Sequence, residues 1–274
     1  MSTNKQFKAS VFSFLFSKPD ILRELYCALE GVSLPTDVPI TINTLNIALF
    51  MNKINDISFE IGGKLVVLIE HQSTINPNMA LRLLMYIARV YEKLIDDKKI
   101  YSSKQIKIPR PEFFVLYNGI DPYPDESISK LSYAFESTES LGLPEKKNQL
   151  ELVVRVININ KGRNKAIAKR CRILSEYSAF IDKVREYEKE GMGREEAVKK
   201  AVIYCRNHDI LKEFLKKNAT EILNMLTTEW NWDDALAVRY EEGLEDGLEK
   251  GRKDGFKNKS CDSFYFINTE YSFM

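Results

Sequence analysis

The sequence predicts an α/β fold over residues 1–160, followed by a helical C-terminal region. A β-hairpin pattern covers residues 55–73, an amphipathic helical pattern follows at 79–96, and two further strand-like segments lie near 111–119 and 149–159. Strand and helix patterns that alternate along one chain are typical of α/β proteins. From residue 161 to about residue 240, apolar side chains recur at helical spacing almost throughout, so helices are expected there.

The first predicted elements are two short helices between residues 7 and 30. Their apolar positions follow helical spacing and are interrupted at Lys18, Pro19 and Asp20, which favour a break. Gly31 is expected to end the second helix, because glycine readily takes the left-handed conformation found after a helix. The Pro-rich segment that follows, residues 32–41, is predicted to be a loop.

The register of the hairpin at residues 55–73 follows from its apolar side chains. A three-residue loop at residues 62–64 gives these pairs: Ile61 with Leu65, Phe59 with Val67, and Ile57 with Ile69 on one face, and Asp56 with Glu70 on the other. A two-residue loop would pair Ile61 with Lys64 and send the two acids to opposite faces, because a slip of one residue turns every side chain over. The apolar pairs favour the three-residue loop.

The helix predicted at residues 79–96 carries two stripes. The apolar stripe is formed by Leu83, Ile87, Val90 and Leu94, and the polar stripe by Arg82, Tyr86, Arg89 and Lys93. The polar stripe could contact nucleic-acid phosphates or form a solvated face, and both interpretations stay open. The basic segment 161–170, which includes Lys165 and Lys169, has the same two interpretations.

The composition indicates a folded protein. Hydrophobic residues make up 44% and charged residues 29% of the 274-residue chain, which is ordinary globular usage.

The chain has no run of about 18 apolar residues and its N-terminus lacks the features of a secretory signal, so we expect a cytoplasmic protein without a membrane span. The four cysteines form no Cys-x-x-Cys pair, which argues against a zinc cluster or a disulfide framework. The net charge of +1 leaves any nucleic-acid contact to local basic patches.

The chain divides into three predicted regions. Residues 1–160 form the α/β core, residues 161–240 form a helical domain or extension, and residues 241–274 form a charged tail with an aromatic end. The glycines of the tail recur every four residues, and each such step turns a helix about 400°, so they form no straight stripe. A partly ordered tail that could self-associate into a homo-oligomer is the favoured interpretation.

The predicted hairpin brings together ligands suited to a hard metal ion. Glu70 and Gln72 lie two residues apart on one strand and therefore point to the same face, while Asp56 joins them from the neighbouring strand. Two carboxylates with a nearby amide oxygen form a site suited to Mg²⁺. Such an ion can activate water for attack on a phosphodiester, so these three residues are the candidate catalytic residues, with Asp56 and Glu70 as metal ligands.

The segments NDISFEIGGKLVVLIEHQS and NPNMALRLLMYIARVYEKL resemble the Rpn (recombination-promoting nuclease, putative transposase) family of PD-(D/E)XK nucleases. The later segments FFVLYNG and LVVRVININKG are also similar to that family, and the likeness covers most of residues 7–255. It implies a restriction-endonuclease-like mixed sheet flanked by helices. It also implies cleavage of DNA with Mg²⁺ or Mn²⁺, with Asp56 as first acid, Glu70 as second acid and Gln72 in the usual lysine position.

Two departures from the family pattern bear on activity. Gln72 can only donate and accept neutral hydrogen bonds, whereas lysine would bring a positive charge beside the scissile phosphate. Ala9 stands where many members of the family have an Asp, so Glu24 or Glu30 on the first helices is the candidate to supply an additional acid.

Alternative interpretations remain at this stage. Asp56 and Glu70 could be solvated acids on an exposed hairpin face, and His71 is interpreted as a packed core histidine rather than a base. Beside the DNA endonuclease, a catalytically inactive DNA-binding or interaction protein with the nuclease fold is the second hypothesis. An RNA-directed nuclease is the third, because hydrolysis of either backbone uses similar metal chemistry.

Overall fold

A computed structural model describes residues 11–43, 57–96, 98–142, 149–218 and 220–222. All of these residues belong to one compact unit, residues 1–225. Ala9, Asp56 and the predicted tail at 241–274 lie outside the described residues. The predicted division of the chain into three regions stays a prediction.

The described chain begins with two short helices, α1 (Val11–Leu15) and α2 (Pro19–Glu30). Pro19 suits the first turn of α2, because the N–H that proline lacks would have no partner within the helix there. Gly31 follows α2 with φ 69°, a left-handed conformation, and the N–H of Val32 donates to the carbonyl of Cys27 at 3.1 Å. The two predicted helices and the predicted stop are confirmed.

Six described strands form one mixed sheet: β1 (Ile40–Ile42), β2 (Ile57–Ile61), β3 (Leu65–Gln72), β4 (Arg110–Tyr117), β5 (Glu126–Lys130) and β6 (Val153–Asn158). Their spatial order is β1-β2-β3-β4-β6-β5, with β3, β4 and β6 parallel and the other neighbours antiparallel. The strands predicted near 111–119 and 149–159 are confirmed as β4 and β6. The sequence analysis did not predict β5, and β1 begins within the predicted loop at 32–41.

The hairpin of β2 and β3 has the three-residue register. Ile61 pairs with Leu65, and Ile57 pairs with Ile69 at the far end of β2. Gly62 and Gly63 have φ values of 58° and 64°, conformations that glycine adopts without a steric penalty. The predicted register is therefore confirmed over the described part of the hairpin.

Helix α3 (Met79–Leu94) covers one face of the sheet. Three of the four predicted apolar stripe residues are buried, and Leu94 in the last turn is exposed. The buried stripe packs on Val66 and Leu68 of β3 and on alternate residues of β4 and β6. Side chains of a strand alternate between faces, so this contact assigns the even-numbered residues of β3 to the α3 face.

The opposite face of the sheet is covered by α1, α2, α4 (Lys165–Arg170) and α5 (Arg172–Lys189). The hydroxyl of Tyr26 in α2 donates to Glu112 of β4 at 3.0 Å, and Phe12 of α1 and Tyr177 of α5 pack against His71 of β3. Helix α4 packs against α2. The described chain thus forms three layers, with the sheet between two helical layers.

The part of the chain after β6 that the structure describes, up to residue 222, is mostly helical, as predicted. Helix α5 packs against α6 (Arg194–Asn207), and residues 212–218 are also helical. Short 3-10 turns lie at Lys99–Tyr101, Leu131–Ala134 and Glu139–Leu141. Within the described ranges, no helix has both the length and the apolar character that a membrane crossing requires.

Candidate functional site

Glu70 is a carboxylate held almost entirely out of solvent. It lies two residues beyond Leu68 on β3, on the face that α3 covers, and its exposed fraction is 3%. This burial excludes the interpretation of Glu70 as a solvated acid. A buried carboxylate needs an opposite charge, hydrogen-bond donors or a metal ion in contact with it.

Arg82 of α3 places an opposite charge beside Glu70. Its Nη2 atom lies 3.2 Å from Oε2 of Glu70, and the same nitrogen donates to the Tyr86 hydroxyl at 3.2 Å. Tyr86 is buried, and the Arg82 side chain is 23% exposed. The first two residues of the predicted polar stripe therefore lie at the candidate site rather than on a solvated face.

Gln72 lies on the same face of β3 as Glu70, as predicted from their spacing. Its Nε2 atom contacts the sulfur of Met79, the first residue of α3, at 2.7 Å. Nη1 of Arg82 lies 3.3 Å from the same sulfur, which is only a weak acceptor. The positive charge beside Glu70 therefore belongs to Arg82 of α3, whereas Gln72 of β3 supplies an uncharged amide.

The carboxyl ends of β3 and β4 approach each other closely beside the site. The N–H of Asn118 donates to the carbonyl of Gln72 at 2.8 Å. A Cβ atom on Gly119 would come closer to the Ser73 carbonyl and the Tyr117 side chain than real Cβ atoms come to any heavy atom. Glycine is therefore required at position 119 for β3 and β4 to end side by side.

His71 points to the face opposite Glu70. Its ring stacks on Phe12 with a centroid distance of 4.8 Å, and Nε2 lies 3.1 Å from the Tyr177 hydroxyl. Burial, with a smaller contribution from the charge of Arg185, lowers the pKa of His71 to about 3. The interpretation as a packed and hydrogen-bonded core histidine is confirmed.

The two acids considered as substitutes at Ala9 lie on the other side of the sheet from Glu70. Glu30 forms an ion pair with Arg155 of β6, and Oε1 of Glu24 accepts the N–H of Arg172 at 2.8 Å. Both acids belong to α2, which packs on the face away from α3. The structure does not bring Glu24 or Glu30 together with Glu70.

The remaining candidate phosphate contacts fall into two groups. Arg89 and Lys93 are exposed on α3, the helix that holds Arg82. Lys165 and Lys169 are exposed on α4, which packs against α2 in the layer opposite α3. The structure therefore separates the two basic groups by the thickness of the sheet and assigns the α3 group to the Glu70 face.

The donor atoms at the site are of the kind that a hard divalent cation takes. Glu70 offers a carboxylate and Gln72 an amide oxygen, and Mg²⁺ prefers oxygen ligands. Over the described ranges, no cluster of three or more His, Cys, Asp or Glu side chains could hold a metal ion. The prediction assigns the second carboxylate to Asp56, which precedes β2 by one residue and lies outside those ranges.

A polar network at the ends of β4 and β6 was not predicted. The amide of Asn160 donates to the carbonyl of Gly119 at 3.0 Å and to Oδ1 of Asn158 at 2.9 Å. Arg185 of α5 donates to Oδ1 of Asn160 at 2.9 Å and to the carbonyl of Asn118. The network ties α5 to the strand ends next to β3. The available signal was the Asn-Ile-Asn motif at 158–160, directly at the end of a strand.

A mixed six-stranded sheet between helical layers, with a buried carboxylate near the carboxyl end of a hairpin strand, fits the restriction-endonuclease-like class of α/β proteins. The predicted fold class is confirmed, including the helical C-terminal region. Residues 52–158 match the family model described as "Putative transposase, YhgA-like", a family of the PD-(D/E)XK and Rpn type. The resemblance to Rpn proteins is thereby confirmed over the segment that contains Asp56, Glu70, Gln72 and Arg82. No curated protein and no solved structure gives a significant match.

Proposed function

We propose that the chain is a metal-dependent DNA endonuclease that hydrolyses phosphodiester bonds in the cytoplasm, in DNA recombination, mobile-element or phage-defence processes. The observation that carries the proposal is the burial of Glu70 against Arg82 at the end of β3. A buried ion pair is a weak source of stability, and buried carboxylates with specific charge partners are frequent at functional sites. The similarity of residues 52–158 to a transposase family supports DNA as the substrate.

The proposal assigns the second acid by extending the hairpin register. Ile57 pairs with Ile69, so the next antiparallel pair along the hairpin would join Asp56 and Glu70. Directly opposed carboxylates repel each other unless a cation lies between them. A divalent ion held by Asp56 and Glu70 would remove that repulsion, which is the physical reason for placing Mg²⁺ or Mn²⁺ there.

The residues of the site would divide the chemistry as follows. Asp56 and Glu70 would hold the ion, which when bound supplies charge to activate a water molecule and to neutralise the scissile phosphate. Gln72 would orient the water or a phosphate oxygen through neutral hydrogen bonds. Arg82 would donate hydrogen bonds to a phosphate oxygen, because its planar guanidinium suits phosphate, and Tyr86 would hold that guanidinium in place.

Nicking of supercoiled plasmid DNA tests the proposal. We expect purified protein to nick the plasmid in Mg²⁺ or Mn²⁺ and not in EDTA. Glu70→Gln and Asp56→Asn remove one charge each at nearly constant shape and should lower the rate at least about 100-fold, or about 2.7 kcal/mol of barrier. Glu112→Gln is the matched control, because Glu112 lies on the opposite face of the sheet, where it accepts from Tyr26 and Arg110. Equal rates for wild type and Glu70→Gln would refute the assignment.

A second candidate function is a catalytically inactive DNA-binding protein. The observation that favours it is the uncharged Gln72, whose amide contacts Met79 where a nuclease of this type usually has lysine. This candidate predicts that wild type binds duplex DNA, that neither Mg²⁺ nor Mn²⁺ supports nicking, and that Glu70→Gln leaves DNA affinity unchanged. A parallel assay with single-stranded and duplex RNA distinguishes an RNA-directed nuclease from both.

A further inference from the structure

The ion pair of Glu70 and Arg82 occupies the carboxylate that the proposed function assigns to a metal ion. We infer that Arg82 is an internal counter-ion that a divalent cation displaces from Glu70, so that metal binding releases the guanidinium to contact a substrate phosphate. The inference rests on the proposed function, because it assigns the metal to Glu70, and it adds a coupling between metal binding and DNA binding at that site.

A metal ion and the Arg82 guanidinium compete for one carboxylate, that of Glu70. The Arg82 Nη2 atom lies 3.2 Å from Oε2 of Glu70, whose side chain is only 4% exposed. Mg²⁺ binds carboxylate oxygens at about 2.0–2.1 Å, so a metal ion and the guanidinium on this buried group would be close neighbours of like charge. Their repulsion is strong because solvent screens charges poorly in a buried site.

The Arg82 side chain is partly exposed and can move from Glu70 toward solvent. Its side chain is 23% exposed, whereas that of Glu70 is 4% exposed, so the guanidinium is the partner nearer to solvent. Two of its further contacts are with neutral groups, the Tyr86 hydroxyl at 3.2 Å and the Met79 sulfur at 3.3 Å. Hydrogen bonds to neutral groups hold a cation less strongly than a carboxylate does. Neutralisation of Glu70 by a metal ion would therefore remove a stronger contact of Arg82 than either of these two.

Position 72 contributes no cation to the site. A lysine there would keep its cation on β3 whether or not a metal ion is bound. Gln72 carries no charge, so the cation comes from Arg82 on a long side chain of α3 that can move. Because coupling of two binding equilibria is reciprocal, a metal that frees Arg82 for phosphate must bind more tightly when a phosphate is present.

Titration of the full-length protein with Mn²⁺ measures the competition directly. We expect Arg82→Met to bind Mn²⁺ about tenfold more tightly than wild type, because the metal no longer has to displace a cation. Arg110→Met is the charge-matched control and should stay within about twofold of wild type. Arg110 pairs with Leu65 whereas Val115 pairs with Glu70, which is five residues along β4 or about 16 Å. Unchanged or weaker Mn²⁺ binding by Arg82→Met overturns the inference.

A structure of wild-type crystals soaked in Mn²⁺ keeps the inference testable even if Arg82→Met fails to fold. We expect Mn²⁺ on Glu70 and the Arg82 guanidinium more than 4 Å from that carboxylate. Mn²⁺ on Glu70 with the ion pair intact overturns the inference and leaves the proposed nuclease standing. Absence of Mn²⁺ from Glu70 would contradict both the inference and the proposed metal site. The nicking assay tests that metal site separately, through the metal dependence of cleavage.

The release of Arg82 has a second readout in DNA binding. The quantity to measure is the ratio of duplex-DNA affinity in Ca²⁺ to that in EDTA. We expect this ratio to be several times larger for wild type than for Arg82→Met. Equal ratios for the two proteins would show that Arg82 does not transfer to phosphate and would overturn that part of the inference.

Discussion

Glu70 and Arg82 are two charged groups placed in the seam between a strand and a helix. Removing two charges from water costs several kcal/mol for each ion, and the attraction between them seldom returns more than that. Loss of one partner from such a buried pair typically costs about 3–5 kcal/mol, because the remaining charge is left uncompensated. The pair therefore contributes little net stability while making both residues hard to replace, as expected of groups kept for binding or chemistry.

His71 follows Glu70 on β3 and lies on the other face of the sheet, where it is buried without a charge, whereas Glu70 is buried in an ion pair. Its ring lies between Phe12 and Tyr177 and stays uncharged, because burial lowers its pKa to about 3. The charge of Arg185 also disfavours the imidazolium, and the Tyr177 hydroxyl is one polar contact of the ring. One strand thus holds an anion on the α3 face and a neutral imidazole on the other.

His71 makes the stability of the protein depend on pH. The unfolded chain binds a proton on this side chain below pH 6.5, whereas the folded chain resists protonation down to about pH 3. The free energy of unfolding should therefore decrease by up to about 1.4 kcal/mol for each pH unit between those values as pH falls. Urea denaturation of wild type and His71→Phe at several pH values measures this, and the variant should lack that part of the slope.

Tyr177→Phe is the control for the pH experiment. It removes the hydroxyl that contacts Nε2 of His71 and leaves the titrating ring in place. We expect it to lose stability at all pH values while keeping the slope of wild type between about pH 3 and 6.5. If His71→Phe and wild type showed parallel pH profiles, His71 would titrate in the folded state as it does in the unfolded state, and its assignment as a neutral core residue would be wrong.

At the scale of elements, the site depends on how closely β3 and β4 end together. The N–H of Asn118 donates to the carbonyl of Gln72, and the next residue, Gly119, packs against the Ser73 carbonyl. Gln72 lies two residues after Glu70, so a shift of this strand end would move the polar side chains of the site. A residue without a side chain is what allows the two strand ends to stay together.

Gly119→Ala tests this close approach. Its Cβ atom would collide with the backbone carbonyl of Ser73, which cannot move without disturbing β3, so we expect a loss of at least about 2 kcal/mol in the free energy of unfolding. Gly193→Ala is the matched control, because a Cβ atom there meets nothing within 4 Å and its backbone φ is −62°. Equal stability of the two variants in urea denaturation would contradict the packing described for Gly119.

The elements that could be predicted from sequence are those whose signal is local. The glycine loop and the apolar alternation determine the register of β2 and β3, and the 3.6-residue period determines α3. The strands that were not predicted lack such a signal. β1 has three residues. β5 (Glu126–Lys130) has a mostly polar sequence and becomes a strand by pairing with β6, which lies 23 to 31 positions later in the chain, from Lys130 with Val153 to Glu126 with Ile157.

In the candidate site too, local sequence patterns predicted some features, whereas contacts between distant parts of the chain could not be predicted. The shared face of Glu70 and Gln72 follows from strand geometry alone, and the helical spacing identified Arg82 and Tyr86 as one polar stripe. The direct contact between Arg82 and Glu70 could not be predicted, because it depends on the packing of α3 on the sheet. The hydrogen bonds of Arg185 to the strand ends could not be predicted either, because they join α5 to residues far away in sequence.

At the scale of the whole described unit, the basic groups lie in two layers. Arg89 and Lys93 are exposed on α3, the layer of Glu70, whereas Lys165 and Lys169 are exposed on α4 in the opposite layer. The chain carries a formal net charge of +1, so long-range attraction to DNA is weak and the local groups decide which face binds. A DNA backbone that reaches Glu70 must approach from the α3 layer.

The salt dependence of DNA binding distinguishes the two faces. Affinity for DNA falls as salt rises, and each phosphate contact adds about 0.9 to the steepness of log affinity against log salt. The double variant Arg89→Ala/Lys93→Ala should therefore make this dependence shallower by up to about 1.8. The double variant Lys165→Ala/Lys169→Ala removes the same charge from the opposite layer and should leave the slope close to that of wild type. A decrease only in the α4 variant would mean that DNA lies on the face away from Glu70. Because a phosphodiester on that face could not reach the Glu70 carboxylate, that result would contradict the proposed nuclease as well.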